Sequence, residues 1–533
     1  MATTLPLLKG SITLSEALAE DEDIIQKLSY PEKRLNFWFH LYQCRSQIED
    51  VVSRHLGISR SDFELGEVEE WIHGSFNACV PIHINASNIR RSKLPRKAII
   101  RFPLPYKIGE EFRRGNVEEK LRCEAATYIW LRNHCPDVPI PSLLGFGFPG
   151  TQSFTAPENE TTYNQVLWWL RRGIAWMFGN TSPPYIPHRR QGLPDLGYLI
   201  IEHVDGRMLS ETWKDHRFDP KRRATLFRGL SRVMLSLAKR PLPRIGSWTL
   251  DEQGALVLAN RPLTLLLHQQ ENLHIPTEIP RTLTYTSAEP YYLDLIACHD
   301  NRLRSQPNSV HDEEDGKAQL AALTGMRALL PKFTDRRLRA GPFALSLTDL
   351  HQSNIFVDDD WRVTRIIDLE WACARPLELS GPPHWLSDRS LEELAFHLDE
   401  YAKLHEEFLG ILEEEEMARY QSLECTRLFR ACWESGAYWY SRALDSPSTL
   451  PALFTDHIQP RFAKLDSSSR MQANDELAPF WDCGVAQFIS RKVGEQHRYS
   501  DQLRRMFSAA GSRDEVNDEG RESERSEVDD GHQ

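Results

Sequence analysis

The segment Leu345 to Trp371 places oxygen-bearing side chains at a spacing that can hold a divalent cation. Asp349 stands five residues before Asn354. Ile355, Phe356 and Val357 then read as a short strand, and Asp358 to Trp361 can form a turn. Arg362 to Ile367 reads as the returning strand that delivers Asp368. In such an antiparallel hairpin Asn354 and Asp368 come out nearly opposite each other, and Asp349 enters from the same end. Three oxygen donors converging on one point is what hard Mg2+ requires. Asp358 to Asp360 are accounted for as solvated turn acids. Asp349 and Asp368 are not, because each adjoins apolar strand residues where an unpaired carboxylate is costly.

Other elements must carry this hairpin. Residues 11–56 read as helical, with Leu35, Phe37, Leu41 and Ile48 at helical spacing. Two strands are expected around a turn at Gly74 to Asn77, and Lys97 to Phe102 reads as another. Val117 to His134 reads as a helix stopped by the prolines from Pro136 to Pro141. Residues 148–195 look like an insertion with an amphipathic helix around Trp168 to Phe178. Leu199 to Val204 reads as a strand. The remainder reads as mainly helical apart from the hairpin, with 301–316 as a polar loop. Segregated strands and helices give an α+β class, expected as a two-lobed arrangement. Four parts follow: a helical extension over 1–65, a strand-rich part over 66–203, a helical part over 204–511 holding the hairpin at 345–371, and a disordered acidic tail over 512–533.

Composition narrows the partners. The 533 residues carry a net charge of −12, which disfavours nucleic acid. The tail has nine acids against three arginines, so about half of that charge is solvated there. No apolar run is long enough to span a bilayer, since Val166 to Phe178 is interrupted by Arg171 and Arg172. Nine cysteines without a C-x-x-C pair argue against a zinc site and fit a reducing, cytoplasmic setting.

The spacing D-x-x-x-x-N followed by an aspartate after a hairpin matches the layout of kinases. Thr348-Asp-Leu-His-Gln-Ser-Asn-Ile-Phe and Ile366-Ile-Asp-Leu-Glu-Trp resemble the catalytic region of the aminoglycoside phosphotransferase and choline kinase superfamily, which has the protein-kinase-like fold. With Glu119-Lys-Leu-Arg-Cys-Glu-Ala-Ala-Thr, Asn260-Arg-Pro-Leu and Gly341-Pro-Phe, the chain most resembles fungal proteins carrying an aminoglycoside phosphotransferase domain, over about residues 66–415. The resemblance implies ATP and Mg2+ as cofactors and a small-molecule hydroxyl acceptor. It implies Asp349 as catalytic base, with Asn354 and Asp368 as metal ligands. Gly74, Ser75, Phe76 and Asn77 would form the loop over the ATP phosphates, and Glu202, His203 and Val204 the segment whose backbone meets adenine. Arg101 stands where the family has its ATP-binding lysine, and Glu124 matches the glutamate paired with that cation.

Several positions depart from the family. An arginine contacts phosphates as a planar fork and not as a point charge, and Lys97 and Lys107 are neighbouring lysines that could reach in. Leu347 and Thr348 replace the family's histidine and glycine. Glu370 either supports a second metal or points into the cleft. Two readings therefore stand, a small-molecule phosphotransferase and a nucleotide-binding pseudoenzyme with a regulatory or partner-binding role. A protein kinase lacks support, because no G-x-G-x-x-G, D-F-G or A-P-E segment is present. The identity of the acceptor and the oligomeric state are not encoded in any readable motif.

Overall fold

A computed structural model describes residues 3–85, 94–150, 152–179, 182–189, 192–446 and 448–529. It is an α+β structure in which every paired strand is antiparallel. The main sheet runs Phe63–Leu65, Asn77–Ile84, Lys97–Pro103, Tyr198–Glu202, Leu143–Gly147, Gln152–Thr155 and Ile186–Arg189, with Ile72–His73 added against Asn77–Ile84. Residues 63–65, assigned by sequence to the helical extension, are thus an edge strand. The 148–195 insertion contributes two strands of its own.

Strand period decides which side chains face which layer. In Lys97–Pro103, Ala98, Ile100 and Phe102 join a core with Leu41, Ile48, Val52 and Leu56 of the helices Tyr30–Gln43 and Arg45–Leu56. The intervening residues Ile99 and Arg101 therefore point to the opposite face. Ile99, Leu199 and Ile201 pack there in a second core with Leu121, Ala125 and Ile129 of the helix Asn116–His134. That helix starts without a capping side chain of its own. The Glu110 carboxylate instead accepts from the Gly115 and Val117 amides, both at 2.7 Å, and places negative charge at the N-terminus. It ends at Cys135, just before Pro136.

Residues 343–376 form two strand pairs, one nested inside the other. Phe343–Leu347 pairs with Ala372–Pro376, and inside it Ile355–Val357 pairs with Val363–Ile366. A further hairpin, Ser247–Leu250 with Leu256–Asn260, packs on the Asn116–His134 helix. Neither it nor the outer strand pair is apparent in the local pattern of the sequence. The expected loop 301–316 is shorter than anticipated, because helices Ala288–Ser305 and Glu313–Phe333 occupy most of it. The helix Thr162–Met177 carries Val166, Trp169, Leu170, Ile174 and Trp176 exposed.

At the far end, Ile12, Ala17 and Ile24 pack with Tyr499, Leu503 and Phe507. The Tyr499 hydroxyl accepts from the Ile24 amide at 2.7 Å. The helix holding Tyr499, Val485–Asp529, continues through most of the segment expected to be a disordered tail. Arginine and glutamate rank among the stronger helix formers. Among the described residues no helix is long and apolar enough to cross a membrane, and all nine cysteines are free.

Candidate functional site

The nested strand pairs determine where the three metal-type donors meet. Leu347 ends the outer strand opposite Ala372, and the Leu350 amide turns back onto the Leu347 carbonyl at 3.2 Å. This turn holds Asp349. The Thr348 hydroxyl donates to the Trp371 carbonyl at 2.6 Å and closes the turn against the far strand. The Ile367 amide reaches the Asn354 carbonyl at 2.9 Å, so Asn354 and Asp368 flank the mouth of the inner hairpin. The Asn354 side-chain amide donates to the Asp349 carbonyl at 2.9 Å and lies 3.5 Å from its carboxylate. Asp368 has φ 57°, a left-handed conformation that aspartate tolerates better than most residues and that is common at functional sites.

Arg101 projects from the sheet into this point. Its Nη1 donates to Glu124 Oε1 at 3.1 Å. Its Nη2 donates to Asp368 Oδ1 at 2.6 Å and to Glu370 Oε2 at 3.2 Å. One guanidinium fork thus ties the helix to the D-L-E segment. A second cation, absent from the sequence expectation, completes the cluster. Lys120, one helical turn before Glu124, is fully buried. Its ammonium donates to Glu370 Oε2 at 2.7 Å and to Asn77 Oδ1 at 2.8 Å, and lies 3.7 Å from Glu124. The two neighbouring lysines do not serve: Lys97 is exposed, and Lys107 sits over the Tyr30 ring, 4.3 Å from its centroid. The i,i+4 relation of Lys120 to Glu124 was the available signal.

The Gly74 to Asn77 turn closes over the same residues. The Gly74 amide donates to the Asn77 carbonyl at 2.9 Å, and a Cβ at Gly74 would stand 3.2 Å from that oxygen. Ser75 points outward. Phe76 packs edge-on against Trp371, with centroids 4.6 Å apart, and the Asn77 amide donates to Glu370 Oε2 at 2.9 Å. Glu370 therefore neither dangles nor stands free in the cleft: it is the common acceptor of Arg101, Lys120 and Asn77. In the Glu202 to Val204 segment, the amides of Glu202 and His203 already donate to Ser142 and Lys97 carbonyls, at 2.9 and 3.1 Å.

The electrostatics follow from this crowding. Burial works against the Glu370 carboxylate, but Lys120 and Arg101 overcome it and lower its pKa. Burial raises Glu124 to about 7 against the pull of Arg101 and Lys120. Burial also raises Asp368, opposed by Arg101. Asp349 rises to about 7 through burial and the negative charge of Glu370 and Asp368, with no cation against it. When ionised, Asp349, Asp368, Glu370 and Glu124 outnumber Arg101 and Lys120 by two charges. Hard oxygen donors with a deficit of two positive charges fit Mg2+. Among the described residues no cluster of three or more His, Cys, Asp or Glu forms a metal cage, so phosphate and water oxygens would have to complete the coordination.

A further network anchors the helix that supplies Lys120 and Glu124. Arg261, fully buried, donates from Nε and Nη2 to both oxygens of Glu119 at 2.8 Å, and from Nη1 to Glu271 at 2.6 Å. The Glu119 and Asn260-Arg261 motifs are therefore partners in space. Both stretches carry the family resemblance in the sequence, but neither Glu119 nor Arg261 is given a role by it.

Comparison with known proteins adds little. No family model matches the chain, and no curated protein sequence does. Among solved structures a macrolide 2'-phosphotransferase type I is similar over 76% of this chain and 96% of its own, at 13% identity and a TM-score of 0.31. A likeness of that quality carries no weight for the chemistry of this chain, which rests on its own residues.

Proposed function

We propose that the protein is a phosphotransferase that uses ATP and Mg2+ to phosphorylate a hydroxyl group of a small molecule, with the sheet and the helical part acting as two lobes around the site. The observation that carries this reading is the convergence of Asp349, Asn354 and Asp368 at one hairpin mouth, faced by the Arg101–Glu124 pair. Asn354 and Asp368 would hold the metal, which neutralises charge on the transferred phosphoryl group. Asp349 accepts the acceptor's hydroxyl proton, and its burial-raised pKa poises it for that task near neutral pH. Arg101 supplies the positive charge beside the phosphate oxygens, and Lys120, fully buried on Glu370, keeps Glu370 and with it Arg101 in place.

Two substitutions test it. Asp349→Asn keeps size and leaves Mg·ATP binding intact, while turnover falls by roughly 10²–10⁴. Asp368→Asn, which also tolerates a left-handed backbone, weakens the Mg2+-dependent thermal shift produced by ATP. Wild-type binding and turnover in both variants would sink the assignment. The contact of Arg101 with Asp368 at 2.6 Å favours a second reading, a pseudoenzyme in which the arginine occupies the metal's carboxylate. That reading expects wild-type protein to bind ATP equally with and without Mg2+ and to show no turnover.

A further inference from the structure

Behind the turn that carries Asp349 lies a cavity of about 130 Å3. Its near wall includes Thr348 and Leu350, the residues on either side of Asp349, with Leu237 and Phe429 completing an apolar lining. Charged residues line it as well. Arg375 is 2% exposed and pairs with Asp445. Arg442 donates to the Leu379 carbonyl at 2.5 Å and lies 3.8 Å from the same aspartate. The Nε of each arginine is buried without a hydrogen-bond acceptor. His384, also in the wall, has its pKa lowered to about 4 by burial and by Arg442, so it is neutral at pH 7. Two guanidinium groups thus share one carboxylate, with the Tyr291 hydroxyl also beside Arg375, leaving one positive charge and the two unpaired Nε donors in the wall of a cavity of mixed polar and apolar lining. A buried cation with spare donors calls for an oxyanion, which guanidinium groups match by geometry as well as charge. The space admits several waters, or a carboxylate or phosphate group with a short carbon chain behind it.

We propose that this cavity is the subsite for a carboxylate or phosphate group carried by the hydroxyl compound that the protein phosphorylates. The acceptor is then a small anionic alcohol and not a cationic one. The inference rests on the phosphotransferase reading for the word acceptor. The oxyanion site itself rests on Arg375, Arg442 and the cavity.

The test is a thermal-shift series on the full chain with five probes: glycerate, glycerol 3-phosphate, glycerol, 3-aminopropane-1,2-diol and inorganic phosphate. The two organic anions are expected to raise Tm in the presence of saturating Mg·ATP, which excludes binding at the nucleotide's own phosphate site. Glycerol and the cationic diol are expected to bind at least about tenfold more weakly. Arg442→Gln is expected to abolish the anion response and keep the Mg·ATP response. If that variant fails to fold, the wild-type charge series still decides. Equal protection by the neutral or cationic diol, no protection by any anion, or an anion response that survives Arg442→Gln overturns the proposal. Protection by inorganic phosphate alone overturns the acceptor's role and leaves a site for a free anion. A Mg·ATP shift without anion protection sinks this inference only. Anion protection without a Mg·ATP shift sinks the phosphotransferase reading and the acceptor assignment, but not the oxyanion site.

Discussion

At the scale of single residues, the site depends on Glu370 as shared acceptor. It is buried against two cations and an amide, so removing one cation leaves charge that the interior cannot solvate. Lys120→Met is expected to cost about 3–5 kcal/mol in urea unfolding. The Lys120→Met/Glu370→Gln double variant is expected to lose less than the two singles together, because they share one interaction. Strict additivity would show that the ammonium and the carboxylate do not depend on each other. Asp349 makes a separate prediction about pH. Its carboxyl rises to about 7, so it is increasingly protonated, and unable to accept a proton, as pH drops through that value. Turnover should therefore fall from pH 8 to pH 6 at limiting Mg2+, the limb moving to lower pH as bound Mg2+ offsets the charge of Asp368 and Glu370, and the residual turnover of Asp349→Asn should lack that limb. A flat wild-type profile over this range would remove Asp349 from the role of base.

At the scale of elements, the Asn116–His134 helix is the part that everything else positions. Arg261 clamps its first turns through Glu119, far along the chain and outside the cleft. Arg261→Met should loosen the helix: hydrogen exchange at residues 116–124 is expected to accelerate, and the ATP-induced shift to shrink, with Asp349 untouched. Unchanged exchange there would mean that packing of Leu121 and Ala125 alone holds the helix. The helix itself, the Lys97–Pro103 strand and the hairpin at 355–366 could be read from periodicity and turn residues, because their signals are local. The facing of Arg101 toward Glu124 was legible through the resemblance. Lys120 and Arg261 were not read: the i,i+4 spacing to Glu124 was the only local signal for Lys120, and its main partner Glu370 lies 250 residues away. The outer strand pair escaped for the same reason, since Phe343–Leu347 and Ala372–Pro376 are each short and meet only across the intervening hairpin. In Thr162–Met177 the amphipathic pattern was plain, yet periodicity shows only that a stripe exists. It does not say that the stripe faces inward, and here much of it faces out.

At the scale of the molecule, the described chain is closed by contacts between its two ends. Tyr499→Phe removes the acceptor of the Ile24 amide and should cost about 1–3 kcal/mol, confined to that end. Limited proteolysis within residues 3–28 is expected to speed up while the Mg·ATP thermal shift stays the same, because the site lies in other cores. A fall in the ATP response would show that the clasp reaches the cleft. The same contact sets an order of events during synthesis. Ile24 meets a partner made 475 residues later. At about 5–20 residues per second a ribosome needs roughly 25–95 s to cover that distance. Through that interval Ile12, Ala17 and Ile24 have no Tyr499, Leu503 or Phe507 to cover them, so this apolar segment waits uncovered while hundreds of later residues are made.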